Sequence, residues 1–182
     1  PTDSIIKTVS EIKLKSLAKE PLQMGASTGT YSDYVMQQQA AMNNAAKAVR
    51  KTGEELTKKL KRPMGMVEKF MVDDAEYVII AAGFHSTTIK LAIKKLRDKG
   101  EKVGLLRIRV IRPWPETEIA LDGKKVAIID GGFSIGSGGI LYNEARNSSY
   151  SSFIVPGHLK ESDVFDIVKK MKSGKKEKAW VL

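Results

Sequence analysis

The sequence predicts an α/β fold, a three-layer α/β/α arrangement on a mostly parallel sheet, preceded by a long helix. Three observations carry this. The runs Tyr77-Val-Ile-Ile-Ala81, Val103-Gly-Leu-Leu-Arg-Ile108 and Lys125-Val-Ala-Ile-Ile-Asp130 are near-continuously apolar, as strands covered on both faces are. Between the first two, Ile89, Ile93 and Leu96 recur at helical spacing. Strand, helix and strand together take about 30 residues, the length of a right-handed parallel crossover.

Each element has its own local signals. The first 30 residues read as irregular: Lys13 to Leu17 can form a helical turn, and Pro21, Gly25 and Gly29 punctuate the stretch up to residue 30. Asp33 can cap a helix whose apolar stripe is Met42, Ala45, Val49, Leu56 and Leu60. Gly53 weakens its middle, and Pro63 with Gly65 ends it. After the strand at Tyr77, Ser86 or Thr87 can open the next helix, which Lys99-Gly100 closes. Past the second strand, a turn or short helix is expected around Thr117–Leu121. The third strand runs into the glycine-rich stretch Gly131–Gly139, then a helix from Ile140 to about Arg146. Ser152-Phe-Ile-Val-Pro156 reads as a fourth strand, and Ser162 can cap a last helix carrying Val164, Ile167, Val168 and Met171. Two parts result, a linker with a long helix (1–65) and an α/β domain (66–182).

Composition narrows the function. The chain has 182 residues and no cysteine, which excludes a disulfide framework, thiolate zinc and a cluster ligated by these residues. No apolar run approaches the roughly 20 residues of a membrane span, so no membrane association is expected and a cytoplasmic address is the default. Pro1, without a preceding Met, points to a processed chain or a piece of something longer. Lys and Arg exceed Asp and Glu by 12 to 7 up to residue 70 and by 19 to 14 beyond it, a net +5 in each part. So even a spread favours a solvated surface over a nucleic-acid arm.

Two loops are candidate anion-binding sites. Gly136, Ser137 and Gly138 lie in the glycine-rich stretch that leaves a strand and enters a helix, where amides can approach a phosphate. The spacing matches neither the dinucleotide fingerprint nor a P-loop, and a tight strand-to-helix turn accounts for the glycines as well. Gly83, His85, Ser86 and Thr87 form the loop after the first strand, with hydroxyls and a titratable ring at a helix start; an ordinary N-cap accounts for the hydroxyls equally. Asp130-Gly131 only weakly echoes a thiamine-diphosphate metal motif, since Ile129 replaces its first glycine and Asn143 and Asn147 come too soon after it. No catalytic nucleophile, base or metal set stands out. Arg107, Arg109 and Arg112 alternate on one side of an extended segment, which suits an acidic interface or internal salt bridges alike.

The segments Asp74–Gly83, Gly100–Arg109, Arg112-Pro-Trp-Pro115 and Asp130–Glu144 resemble the α chain of 2-oxoacid:ferredoxin oxidoreductases, of the pyruvate:ferredoxin oxidoreductase (pyruvate synthase) type. Gln23-Met-Gly25, Ser32–Gln39 and the Trp180-Val-Leu ending are similar too, while Trp114 stands where the family commonly has Phe. The resemblance implies a transketolase C-terminal-like domain with its preceding linker. It implies a thiamine-diphosphate-dependent enzyme that decarboxylates a 2-oxoacid oxidatively, passing the acyl group to coenzyme A and electrons through iron–sulfur clusters to ferredoxin. Thiamine diphosphate, magnesium and the clusters would belong to the whole enzyme, with partner subunits of β, γ and δ type. The chain alone is expected to bind none of these cofactors, to be inactive, and to serve assembly. The rival expectation is a stand-alone anion- or nucleotide-binding α/β module.

Overall fold

The computed structural model describes residues 31–182, so the expected turn at Lys13–Leu17 and the Gln23-Met-Gly25 segment lie outside the described residues. The chain divides into two units, Pro1–Gly65 and Met66–Leu182.

In the first unit, helix α1 spans Tyr31–Leu60. Asp33 sits within its first turn rather than before it. Ala45, Val49, Leu56 and Leu60 are half-buried and Met42 is exposed. Gly53 has a positive role: a Cβ there would lie 2.4 Å from the Met64 carbonyl oxygen, so glycine lets the chain fold back after the helix. The Thr57 hydroxyl fastens this return, donating to the Gly53 carbonyl at 2.7 Å and accepting the Met64 N–H at 2.9 Å.

In the second unit, strands β1 (Val67–Phe70), β2 (Tyr77–Ala82), β3 (Val103–Ile108), β4 (Lys125–Asp130), β7 (Ser151–Ile154) and β8 (Lys178–Trp180) form one sheet in the order β1-β3-β2-β4-β7-β8. β1 is antiparallel to β3 and every other pairing is parallel. Helix α2 (His85–Arg97) connects β2 to β3, α3 (Ile140–Ala145) lies between β4 and β7, and α4 (Glu161–Lys172) joins β7 to β8. Strands β5 (Phe133–Ser134) and β6 (Gly138–Gly139) pair separately as a small antiparallel hairpin.

Alternation along the strands sends side chains to two cores. One contains Ile79, Leu105, Ala127, Ile129 and Phe153 against α2 and α4. The other contains Val78, Ile80, Leu106, Val126 and Ile128 against Leu141 of α3 and the half-buried Trp114 and Ile119. Each fully buried Ile or Leu side chain contributes about 1.5–3 kcal/mol. α2 and α4 share a face although β2-to-β3 and β7-to-β8 step across the sheet in opposite directions. The last crossover therefore has the hand opposite to the first, against the usual uniformity of such connections.

Helix starts differ slightly from those expected. α2 begins at His85, with Phe84 before it and no side-chain cap, so Ser86 and Thr87 lie inside the first turn. Ser162 likewise lies inside α4, whose start is held by the Asp163 carboxylate accepting the Lys160 N–H at 2.8 Å. The expected turn near Thr117 is a single 3-10 turn, Glu116–Glu118.

Candidate functional site

The chain leaves β2 toward β1 by way of β3, and leaves β4 toward β8. The carboxyl edge between β2 and β4 is thus the topological switch point, where open parallel sheets form ligand crevices. Both candidate loops emerge there.

After β2, Gly83 takes a φ of 65° to turn the chain into α2. Phe84 is 69% exposed and its ring centroid lies 4.0 Å from that of His85. His85 is buried, and its Nε2 pairs with the Gly157 carbonyl in the loop after β7 at 3.1 Å. Its ring also covers Gly131, where a Cβ would sit 2.5 Å from Cε1. One imidazole thereby joins the loops after β2, β4 and β7 and fills the crevice. The Ser86 hydroxyl is buried without a hydrogen-bond partner, and Thr87 is exposed. The first N–H groups of α2 turn inward, Ser86 to the Gly83 carbonyl and Thr87 to that of Phe84.

After β4, the glycine-rich stretch is the β5–β6 hairpin rather than an open cradle. Its tip is closed by the Ser137 N–H on the Ser134 carbonyl at 3.0 Å, with Gly136 and Gly138 at φ 81° and 94°. Asp130, 1% exposed, governs the entry to α3. Its Oδ1 accepts the Leu141 N–H at 2.7 Å and its Oδ2 the Tyr142 N–H at 3.1 Å, while the Ile140 N–H goes to the Gly132 carbonyl. The carboxyl occupies the place an incoming anion would take. Burial pushes the Asp130 carboxyl above its ordinary pKa, partly opposed by these two N–H donors. Gly139 is required beside it, since a Cβ would fall 2.1 Å from Asp130 Oδ2.

Ser137 and Gly138 instead border a cavity of about 140 Å³ between the hairpin, α3 and the β7–β8 strands, with Tyr142, Asn143, Lys178 and Trp180. Lys178 Nζ lies 4.7 Å from the centre of the Tyr142 ring. Neither His85 nor any other member of the β2 loop lines that cavity. The two candidate loops therefore meet through His85 and Gly131, and only the glycine-rich one lines this cavity. Sequence reasoning misses the Asp130 cap and the Lys178–Trp180 wall; the signal for the first is an Asp at a strand end with glycine where the next helix begins.

The arginine alternation resolves into internal ion pairs. Arg109 Nη2 reaches Glu68 Oε2 at 2.7 Å, Arg107 Nη1 lies 3.5 Å from the same oxygen, and Lys90 holds Oε1. Arg112 pairs with Glu144. Burial raises the Glu68 carboxyl, but hydrogen bonds and charge from Lys90 and Arg109 outweigh it and hold its pKa below the ordinary value.

A family model described as pyruvate:ferredoxin oxidoreductase core domain II matches residues 75–172, more than half of the chain. The chain belongs to that family. Pyruvate synthase subunit PorA of Methanothermobacter thermautotrophicus is 32% identical over 181 residues, covering 89% of this chain and 45% of its own length. Ketoisovalerate oxidoreductase subunit VorA of Pyrococcus abyssi is 34% identical over 147 residues, covering 76% of this chain and 37% of its own. The chain thus spans less than half the length of these relatives. A solved 2-oxoglutarate:ferredoxin oxidoreductase from Magnetococcus marinus has a TM-score of 0.48 at 21% identity, covering 58% of this chain and 19% of that one, too loose a likeness to bear on function.

The family resemblance read from the sequence is the one the family model identifies. Within this core domain II, the Asp130-Gly131 pair does not fit a magnesium–diphosphate site, because both carboxyl oxygens are taken by helix N–H groups. Among the described residues no group of three or more His, Cys, Asp or Glu is placed to hold a metal ion. None of the described helices is long and apolar enough to cross a membrane.

Proposed function

We propose that this chain is the core domain II portion, residues 66–182, with its preceding linker, residues 1–65, of the α chain of a cytoplasmic thiamine-diphosphate-dependent 2-oxoacid:ferredoxin oxidoreductase. Its substrate is pyruvate or a close 2-oxoacid; the products are the acyl-coenzyme A, carbon dioxide and reduced ferredoxin. The observation that carries this reading is the family match over residues 75–172. The domain's part is structural and interfacial. Thiamine diphosphate, magnesium and the iron–sulfur clusters sit elsewhere in the assembly, with subunits of β, γ and δ type.

The site's geometry supports that division of labour. The switch-point crevice is filled by His85, and the start of α3 is closed by Asp130, which argues against a stand-alone nucleotide-binding module. Several apolar side chains face outward on this edge: Phe84 at 69%, Ile135 at the hairpin tip at 94%, and Trp180 at 53% exposure. Such groups suit burial in an assembly.

The test is to purify the chain alone and from its source with its bound partners. The assembly reduces a viologen dye with pyruvate and coenzyme A, and the isolated chain does not. Turnover by the isolated chain, or native chain recovered without any thiamine-binding partner, overturns the proposal. Micromolar, saturable ADP or coenzyme A binding by the isolated chain would transfer the assignment to the rival module.

A further inference from the structure

We propose that the opposite, amino-terminal edge of the sheet carries a binding site for a compact phosphate dianion, free or as the head of a small ester. A concavity of about 200 Å³ lies there, between the starts of β4 and β7 and the turn after α4. Lys124, Lys125, Lys175 and Lys176 line it together with Tyr150 and Ser151. No Asp or Glu is among its lining residues.

The cations are brought together by the fold, not by one run of sequence. Lys124 is fixed by donating to three carbonyls, of Val72, Asp73 and Ala75, at 3.1, 3.2 and 2.7 Å. Lys125 leans over the Tyr77 ring with Nζ 5.6 Å from its centre. Gly174, at φ 76°, turns the chain after α4 and delivers Lys175 and Lys176 to the same rim. The carboxylate next to them in the chain, Glu177, is committed elsewhere: it pairs with Lys170 at 3.1 Å. Four like charges around one hollow repel one another, and an anion there removes that cost.

Neutral donors complete the arrangement. Ser151 Oγ accepts the Glu177 N–H at 3.2 Å, which leaves its own proton free to donate. Burial pushes up the Tyr150 phenol, which is hydrogen-bonded to Asn147 and near the Asp122 carboxylate, and like any phenol it is protonated at neutral pH. Lys124 acts by charge alone, its three N–H donors being spent on carbonyls. The ammonium groups of Lys125, Lys175 and Lys176 and the Ser151 hydroxyl match phosphate oxygens. A volume of about 200 Å³ falls below that of pockets holding drug-sized ligands, which selects a compact anion over a whole nucleotide. This inference stands apart from the oxidoreductase reading.

The experiment is an amide NMR titration of the full chain with inorganic phosphate, then with glycerol phosphate, at constant ionic strength set by chloride. Saturable shifts are expected at residues 149–151 and 174–176. The K175A/K176A variant, in which both altered side chains are exposed, should bind about tenfold more weakly or worse. K94A, on the exposed side of α2, should bind as the parent does. Phosphate alone giving shifts identifies the free ion; both probes giving them identifies a phosphate head. Shifts that track ionic strength alone, or that survive K175A/K176A unchanged, overturn the proposal.

Discussion

Replacing Asp130 by alanine removes the acceptor for two backbone N–H groups at the start of α3, the buried one of Leu141 at 2.7 Å and the half-buried one of Tyr142 at 3.1 Å. Each buried donor left without a partner costs about 1–3 kcal/mol. The carboxyl is itself unfavourably buried, which offsets part of the loss and places the expected destabilisation at about 2–3 kcal/mol. With a urea slope of about 2 kcal/mol per M, the unfolding midpoint falls by about 1–1.5 M. Asp130→Asn keeps one acceptor oxygen and should lose roughly half as much. The pH dependence separates burial from hydrogen bonding. Because burial raises the folded-state pKa, the folded protein holds this proton more tightly than the unfolded chain. The contribution is fully present below the ordinary value of 3.8 and is lost as pH rises through the folded-state pKa. Wild type should therefore lose stability relative to Asp130→Asn across that window, followed by circular dichroism in urea at stepped pH. A D130A midpoint within about 0.2 M of wild type would refute the capping argument.

Gly104→Ala tests the close crossing over β3: its Cβ would lie 2.5 Å from the Met71 carbonyl oxygen and 2.9 Å from Val72 Cα, both backbone. It should cost about 2 kcal/mol or more, visible in thermal unfolding, and an unchanged Tm would show that residues 71–72 move aside freely. Glu68→Gln tests the ion cluster on β1. The lowered carboxylate contributes stability that is present above its ordinary 4.5 and lost as pH falls through its folded-state pKa. The variant should be about 1 kcal/mol less stable at pH 7 and should lose less between pH 5 and 3, and a parallel acid limb would count against the cluster.

The parallel strands were legible because burial on both faces demands unbroken apolar runs, and β3 and β4 begin and end where those runs do. β1 was not: its four residues include Glu68 and Lys69, and an antiparallel edge strand needs no such run. β8, Lys178-Ala179-Trp180, pairs parallel with β7 but is a three-residue edge strand, too short and too exposed to show an apolar run within a basic tail. The glycine-rich stretch could be placed at a strand-to-helix junction, yet its two-residue strands carry too few side chains to signal a hairpin. The helix caps failed for a different reason. Local rules seek an acceptor next to the helix, whereas α3 takes Asp130 from the end of β4, 11 residues before Leu141. The arginine alternation was readable as charge, but its partner Glu68 lies 39 and 41 residues away and only pairing of β1 with β3 brings it near.

The reversed hand of the last crossover makes the helical covering of the second unit unequal on its two faces. Within that unit, α4 returns on the side of α2 and doubles the helical covering there. The unit's own covering of the other side is six-residue α3 and the segment between β3 and β4. The two faces are therefore unequal reservoirs of cooperativity. Thermal fluctuations would first peel away the thinly covered side, exposing Val78, Ile80 and Ile128 to solvent while the double-helix side stays closed. In a larger assembly, a neighbour pressing on the thin side would stiffen the whole sheet, whereas one on the thick side would find it already rigid.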